Sequence, residues 1–161
     1  MLIDQLTKTW VVNNIPENTV GFTLLGDFLA VIHVRNTAVA FSLGRGLSLN
    51  IRVILFILIP IIVMAYIAKI IVSKKKPFEM TNFQLWLMAG FLGGGCGNIF
   101  DRIFRHFRVV DFMSNRVYGL FGMERWPTWN FADATVCVCG VLMVLSIIIE
   151  ERKQKKETIN E

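Results

Sequence analysis

Three stretches of the chain run for most of a membrane-spanning helix without a charged residue. Val53–Ala68 reads VILFILIPIIVMAYIA between Arg52 and Lys69, Phe83–Phe100 reads FQLWLMAGFLGGGCGNIF, and Ala134–Ile149 follows Asp133. With their flanks, each reaches the roughly 20 helical residues that a hydrocarbon layer requires. The pattern predicts transmembrane helices over residues 51–72, 83–101 and 133–150, with a solvated tail over 151–161. The N-terminal MLIDQLTKTWVV is amphiphilic and too short to cross alone, so residues 1–14 read as a partial first helix. It has no basic segment followed by an apolar core and a cleavage site, which argues against a signal peptide.

Between the first segment and the first long run, residues 19–46 change character. They are rich in β-branched and aromatic side chains, with Gly26-Asp27 as a turn and Phe28–Val34 as the best strand, and so predict a small hairpin or meander. Residues 101–132 predict a loop. Its Phe104, Phe107, Phe112, Tyr118, Phe121, Trp126, Trp129 and Phe131 suit a membrane–water interface.

Composition narrows the class. The 161 residues allow one domain, and 54% hydrophobic against 18% charged residues is the balance of a membrane protein. The net charge of +5 does not point to nucleic acid. Lys74–Lys76 and Arg152, Lys153, Lys155 and Lys156 abut span ends, as cytoplasmic flanks do. Arginines on the opposite side of the spans balance these clusters in a plain count, so the assignment of sides rests on proximity to the spans. Cys96, Cys137 and Cys139 all lie in apolar runs and read as small buried hydrophobes. His33 and His106 have no companions at metal-ligand spacing, so no metal site is expected.

The polar residues that remain are few. Asp133 opens the last span, and Asp111 sits in ValValAspPhe with apolar neighbours on both sides. Two carboxylates brought together in a low-dielectric setting share a proton, which is the arrangement an aspartyl dyad uses to hydrolyse a peptide bond. Each also has an ordinary reading: Asp133 or Asn130 capping a helix, and Asp111 solvated at the surface. In GlyGlyGlyCysGlyAsnIlePheAspArg (93–102), Gly93 and Gly97 form a small-xxx-small pair that admits a close helix. Asn98, Asp101 and Arg102 follow within about a turn, and Asp101 could simply pair with Arg102. Asp4 and Lys8 stand one helical turn apart and suit an ion pair. Asn36 suits a turn.

Taken in order, AspGlnLeuThrLys (4–8), AsnThrAlaValAlaPhe (36–41), GlyCysGlyAsnIlePheAspArg (95–102), ValValAspPhe (109–112) and TrpProThrTrpAsnPheAlaAspAla (126–134) resemble the motifs of the bacterial lipoprotein signal peptidase family, also called signal peptidase II. The resemblance covers nearly the whole chain. It implies a membrane α-helical fold, a four-transmembrane-helix bundle with a small β-cradle and an aromatic loop on the outer face of the bacterial inner membrane. It implies an aspartic endopeptidase that cleaves prolipoproteins just before the diacylglyceryl-modified cysteine. Asp111 and Asp133 then take the catalytic positions. Asn36, Asn98, Arg102 and Asn130 surround the dyad and substrate backbone, and Asp4, Lys8 and Asp101 are structural or pocket-shaping. A monomer without metal or organic cofactor is expected, its partners being the prolipoprotein and the lipid bilayer. Two departures stand out. Ala38 occupies a position where the family usually has glycine, and the family's first helix normally extends well upstream of Asp4, which suggests a chain that starts late or is truncated. The rival reading is a small proton-coupled transporter or channel subunit, which would need polar groups through the depth of the bilayer.

Overall fold

The computed structural model describes residues 1–37, 46–73 and 79–160, with side chains to Glu157. Ala38 and Lys74–Lys76 therefore lie outside the described residues, as does the 38–45 part of the predicted cradle. Four helices and a three-stranded sheet make up the rest. They run in the order α1 (Leu2–Asn14), β1 (Val20–Leu24), β2 (Leu29–Asn36), α2 (Leu49–Val72), α3 (Asn82–Phe104), β3 (Val109–Asn115) and α4 (Phe131–Asn160).

The helix α1 is inverted relative to a soluble helix. Leu2 and Ile3 are 72% and 71% exposed, whereas Asp4 and Lys8 are 2% and 0% exposed. Spacing explains which face turns inward: Asp4, Lys8 and Val11 recur at one helical turn and lie on one side. An apolar exterior around a charged interior is stable where the surroundings are lipid and the charges find partners.

Both α2 and α4 are long and apolar enough to cross a membrane. The third predicted span, α3, has the length but carries Gln84, Asn98, Asp101 and Arg102. It is the central helix, packing most extensively on α4 and also on α1 and α2, so it turns these polar groups toward protein. Thr81 and Gln84 open it with a reciprocal capping box. Two glycine rows let neighbours close in. A Cβ on Gly93 or Gly97 would meet Met1 N at 3.7 Å or Asp4 Oδ2 at 2.6 Å, so the predicted pair admits α1. A second row admits α4, for a Cβ on Gly94 would lie 2.7 Å from the Ala132 carbonyl oxygen and one on Gly90 2.6 Å from Cys139 Sγ.

The sheet has the order β1-β2-β3, antiparallel throughout. The predicted strand 28–34 and the turn at Gly26 (φ 70°) are present. The predicted loop 101–132 needs correction, because Val109–Asn115 is a strand that pairs with β2 across more than 70 residues. Its aromatics divide accordingly. Phe112 is buried against Phe131 with ring centroids 5.4 Å apart, while Tyr118 and Phe121 sit exposed at the tip of the excursion that follows. Arg116 and Arg125 at the base of that tip both reach Asp27 in the β1–β2 turn, at 2.8 and 3.1 Å. Val11, Ile15, Val31, Val110 and Phe112 form the apolar core between α1 and the sheet. The tail predicted from residue 151 continues α4 as helix to Asn160.

One cation joins these parts. Lys8 Nζ contacts Asp4 Oδ2 at 2.9 Å, Asp101 Oδ2 at 3.0 Å and Asn98 Oδ1 at 2.9 Å, so all three ammonium donors have acceptors. Asp101 also accepts from the Val110 backbone N–H at 3.1 Å, and Asp4 from that of Ala132 at 2.9 Å. The node therefore fastens α1 and α3 to β3 and to the start of α4. Asp101 pairs with Lys8 and Arg105, not with Arg102 as its neighbour in sequence suggested. Replacing Lys8 with Met should cost about 3–5 kcal/mol, because two carboxylates would stay buried without their counter-charge. Adding Asp101→Asn should recover part of that loss. Thermal unfolding in detergent checks both, and a Lys8→Met melt equal to wild type would contradict the assignment.

Candidate active site

The first turn of α4 begins with a reciprocal pair of hydrogen bonds. Asn130 Oδ1 accepts from the Asp133 N–H at 2.9 Å, and Asp133 Oδ2 accepts from the Asn130 N–H at 3.1 Å. This is the geometry of a capping box, built from Asn and Asp instead of Ser and Glu. Both capping readings of the sequence hold, and capping leaves Asp133 Oδ1 free to accept from Asn98 Nδ2 at 2.6 Å.

The fully buried side chain of Asn130 then reaches across to the sheet, donating to Asp111 Oδ1 at 2.7 Å. One asparagine thus touches both carboxylates, one through its side chain and the other through its backbone. Asp111 is only 3% exposed, which removes the solvated-surface reading. Its second oxygen accepts from Asn36 Nδ2 at 3.1 Å. Strand register explains this contact. Asp111 stands opposite Val34 and Val109 opposite Asn36, which puts Asn36 diagonally across from Asp111 on the same face. A register shift between Val31 and Val34 precedes the pair, and bulges of this kind re-aim side chains beside active sites.

Electrostatics follow from this packing. Burial pushes the Asp111 carboxyl up to about 7, the charge of Asp133 adds to the effect, and the hydrogen bonds from Asn36 and Asn130 oppose it. Near neutrality Asp111 therefore holds a proton for a substantial part of the time. Asn98 links the site to the cation below, since its Oδ1 accepts from Lys8 and its Nδ2 donates to Asp133.

Arg102 donates to the Asn98 carbonyl at 3.2 Å and lies 6.0 Å from the centroid of Phe56. With Asn98 and Asp133 it forms the polar end of a cleft of about 400 Å³ between α2, α3 and α4. The nine residues singled out from the sequence thus fall into one connected region. Asn36, Asn98, Arg102, Asn130, Asp111 and Asp133 surround the pair or line the cleft, while Asp4, Lys8 and Asp101 lie beneath as the charged support.

Gln5 was not anticipated. Its Nε2 lies within 3.2 Å of Asp4 Oδ2, the Gly97 carbonyl and Asp101 Oδ1, bridging α1 and α3. Only its place inside the 4–8 motif could have marked it. His33, by contrast, is a core residue whose Nδ1 lies 2.7 Å from the Ile15 carbonyl.

The family model for signal peptidase (SPase) II matches residues 1–149. A lipoprotein signal peptidase of Treponema pallidum is 37% identical over 153 residues, covering 95% of this chain and 81% of its own. One from Treponema denticola is 39% identical over 156 residues, covering 97% and 88%. A bacterial membrane enzyme solved by the in meso method at 2.3 Å superposes with a TM-score of 0.75 at 22% identity, covering 93% of this chain and 83% of its own. That likeness speaks for the fold, and the full-length sequence relatives, with a match that takes in Asp4 through Asp133, speak for more: this chain belongs to the signal peptidase II family.

Proposed function

We propose that the protein is a membrane-embedded aspartic endopeptidase that removes the signal peptide from diacylglyceryl-modified prolipoproteins, cutting just before the lipid-modified cysteine. The meeting of Asp111 and Asp133 at Asn130 carries the reading. Family membership gives the substrate class, and the polar gathering at one end of the helices suits hydrolysis at an interface. It leaves the transporter alternative without support, since α2 and α4 offer no relay through their depth.

The chemistry uses both protonation states at once. Asp133, as carboxylate, takes a proton from water as the oxygen attacks the scissile carbonyl carbon. Asp111, protonated, gives its proton to the carbonyl oxygen, and a tetrahedral gem-diol results. In the second half the Asp133 proton passes to the leaving amine. Asp111 takes back a hydroxyl proton, the C–N bond breaks, and the dyad returns to its starting state. Asn36 and Asn130 hold Asp111, Asn98 holds Asp133, and the Arg102 guanidinium offers donors to the substrate backbone.

The setting fits a bacterial inner membrane. About 30 Å of helix separates Asp133 from the Arg152–Lys156 cluster along α4. That cluster belongs on the cytoplasmic side by the positive-inside tendency, which puts the dyad at the outer leaflet. In this setting the four helices form the membrane bundle, and the protein acts as a monomer on substrates that stay in the bilayer.

Asp111→Asn and Asp133→Asn should each lower kcat on a diacylglyceryl-modified precursor by about 10²–10⁴-fold, the range for loss of a general acid or base. Both variants should remain membrane-inserted, with unfolding temperatures near wild type. Signal-peptide release followed by gel mobility reads the effect, and full turnover by either variant rejects the pairing.

Activity should also fall as pH rises through about 7, because Asp111 then loses the proton it must donate. Asn36→Ala removes a hydrogen bond that favours the charged carboxylate, so the alkaline limb of kcat/KM should move to higher pH. A limb that stays in place or moves down contradicts this role for Asn36.

A further inference from the structure

Beyond Asp133, Arg102 and Asn98 at its polar end, the cleft is apolar. Leu55, Phe56, Ile59, Pro60, Val63 and Met64 of α2 form one wall. This wall departs from α geometry at Ile54–Leu58, a π-helical turn just before Pro60. A proline there has no N–H to give to Phe56, and a wider turn absorbs the mismatch; π turns of this kind recur at functional sites. Antiparallel packing sets the cleft's direction. Arg102 stands near Phe56 at the polar end, whereas at Gly95 an added Cβ would lie only 2.7 Å from Met64 Sδ. The helices approach closely there, which narrows the cleft toward its deep end at Phe91. Leu55, Ile59 and Val63 are each more than two-fifths exposed, so one side opens to lipid.

Dimensions select the occupant. From Leu55 to Met64 the wall rises about 14 Å, and from Phe91 to Arg102 on α3 about 16 Å. Half of a hydrocarbon core is about 15 Å, the depth one acyl chain spans. A volume of about 400 Å³ holds roughly one turn of a helix some 10 Å across, far too little for the helical core of a signal peptide. We infer that this cleft seats one acyl chain of the substrate's diacylglyceryl group, with the ester end at Arg102 and the methyl end at Met64. The inference rests on the peptidase reading and extends it by assigning the lipid, not the peptide, to the groove between α2, α3 and α4. With one chain seated there, the modified cysteine is held at the depth of the dyad and the peptide is left to approach from the sheet side.

The test pairs a filled cleft with a chain-length series. Val63→Trp places a large ring in the groove, and Ile62→Trp, one residue away and 67% exposed, serves as a control for the added bulk. Both should unfold near the wild-type temperature. With a precursor carrying sixteen-carbon chains, Val63→Trp should raise KM about tenfold, equivalent to about 1.4 kcal/mol, with kcat little changed. A four-carbon analogue should show no such rise, and Ile62→Trp should match wild type on both. In parallel, a photoreactive group at the acyl terminus of the long-chain precursor, bound to Asp111→Asn, should cross-link to Val63, Met64 or Phe91. Equal increases in KM for long and short chains would assign the groove to the peptide and overturn the inference. So would an unchanged KM, or cross-links confined to lipid and other faces of the helices. Failure of the wild-type protein to process either precursor would overturn the peptidase reading itself, and the acyl assignment with it.

Discussion

A single buried ammonium group organises the interior. Lys8 lies wholly out of contact with solvent and lipid, with two carboxylates and an amide oxygen around its three donors. A buried ion pair adds little net stability compared with well-packed apolar residues, yet breaking one is severe, so such a node fixes arrangement more than it adds strength. Here it fixes four elements at once. Asp101 reaches the β3 backbone, Asp4 reaches the α4 backbone, and Asn98 carries the contact on to Asp133. The strand and the helix that bear the two acidic side chains of the site are thus tied to one cation before either meets substrate.

Lipid surroundings make this economy necessary. Helices in a bilayer gain nothing from hiding apolar faces from one another, so close packing and polar contacts must hold them together. The glycine rows on α3 supply the first and the Lys8 node supplies the second. The apolar residues of α1 then face outward, and its polar residues become the adhesive. Asn130 shows the same thrift, because the residue that starts α4 is also the one that touches both carboxylates.

Much of this was legible in the sequence, for identifiable reasons. Uncharged runs bounded by charges marked α2 and α4, and motifs taken in order marked the acidic pair. The i, i+4 spacing of Asp4 and Lys8 marked their pairing. What escaped depends on contacts between segments remote in the chain. Val109–Asn115 has no flanking turn signals and sits among arginines and aromatics, so only its pairing with β2 reveals a strand. Asp101 looked toward its neighbour Arg102, and only the approach of α1 along Gly93 and Gly97 brings Lys8 within reach. The π turn in α2 and the bridging role of Gln5 likewise have no local signature beyond Pro60 and a motif position.

The central claim is that Asp111 and Asp133 act as one acid–base unit holding one proton between them near neutral pH. Infrared difference spectroscopy across a pH titration tests it most directly, since a protonated carboxyl carbonyl absorbs apart from a carboxylate. A shared proton predicts a buried carboxylic-acid band that titrates near pH 7, vanishes in Asp111→Asn, and shifts its midpoint in Asp133→Asn. A band whose titration ignores the Asp133 substitution, or the lack of any protonated carboxyl between pH 6 and 7, would show two independent carboxylates and contradict the claim.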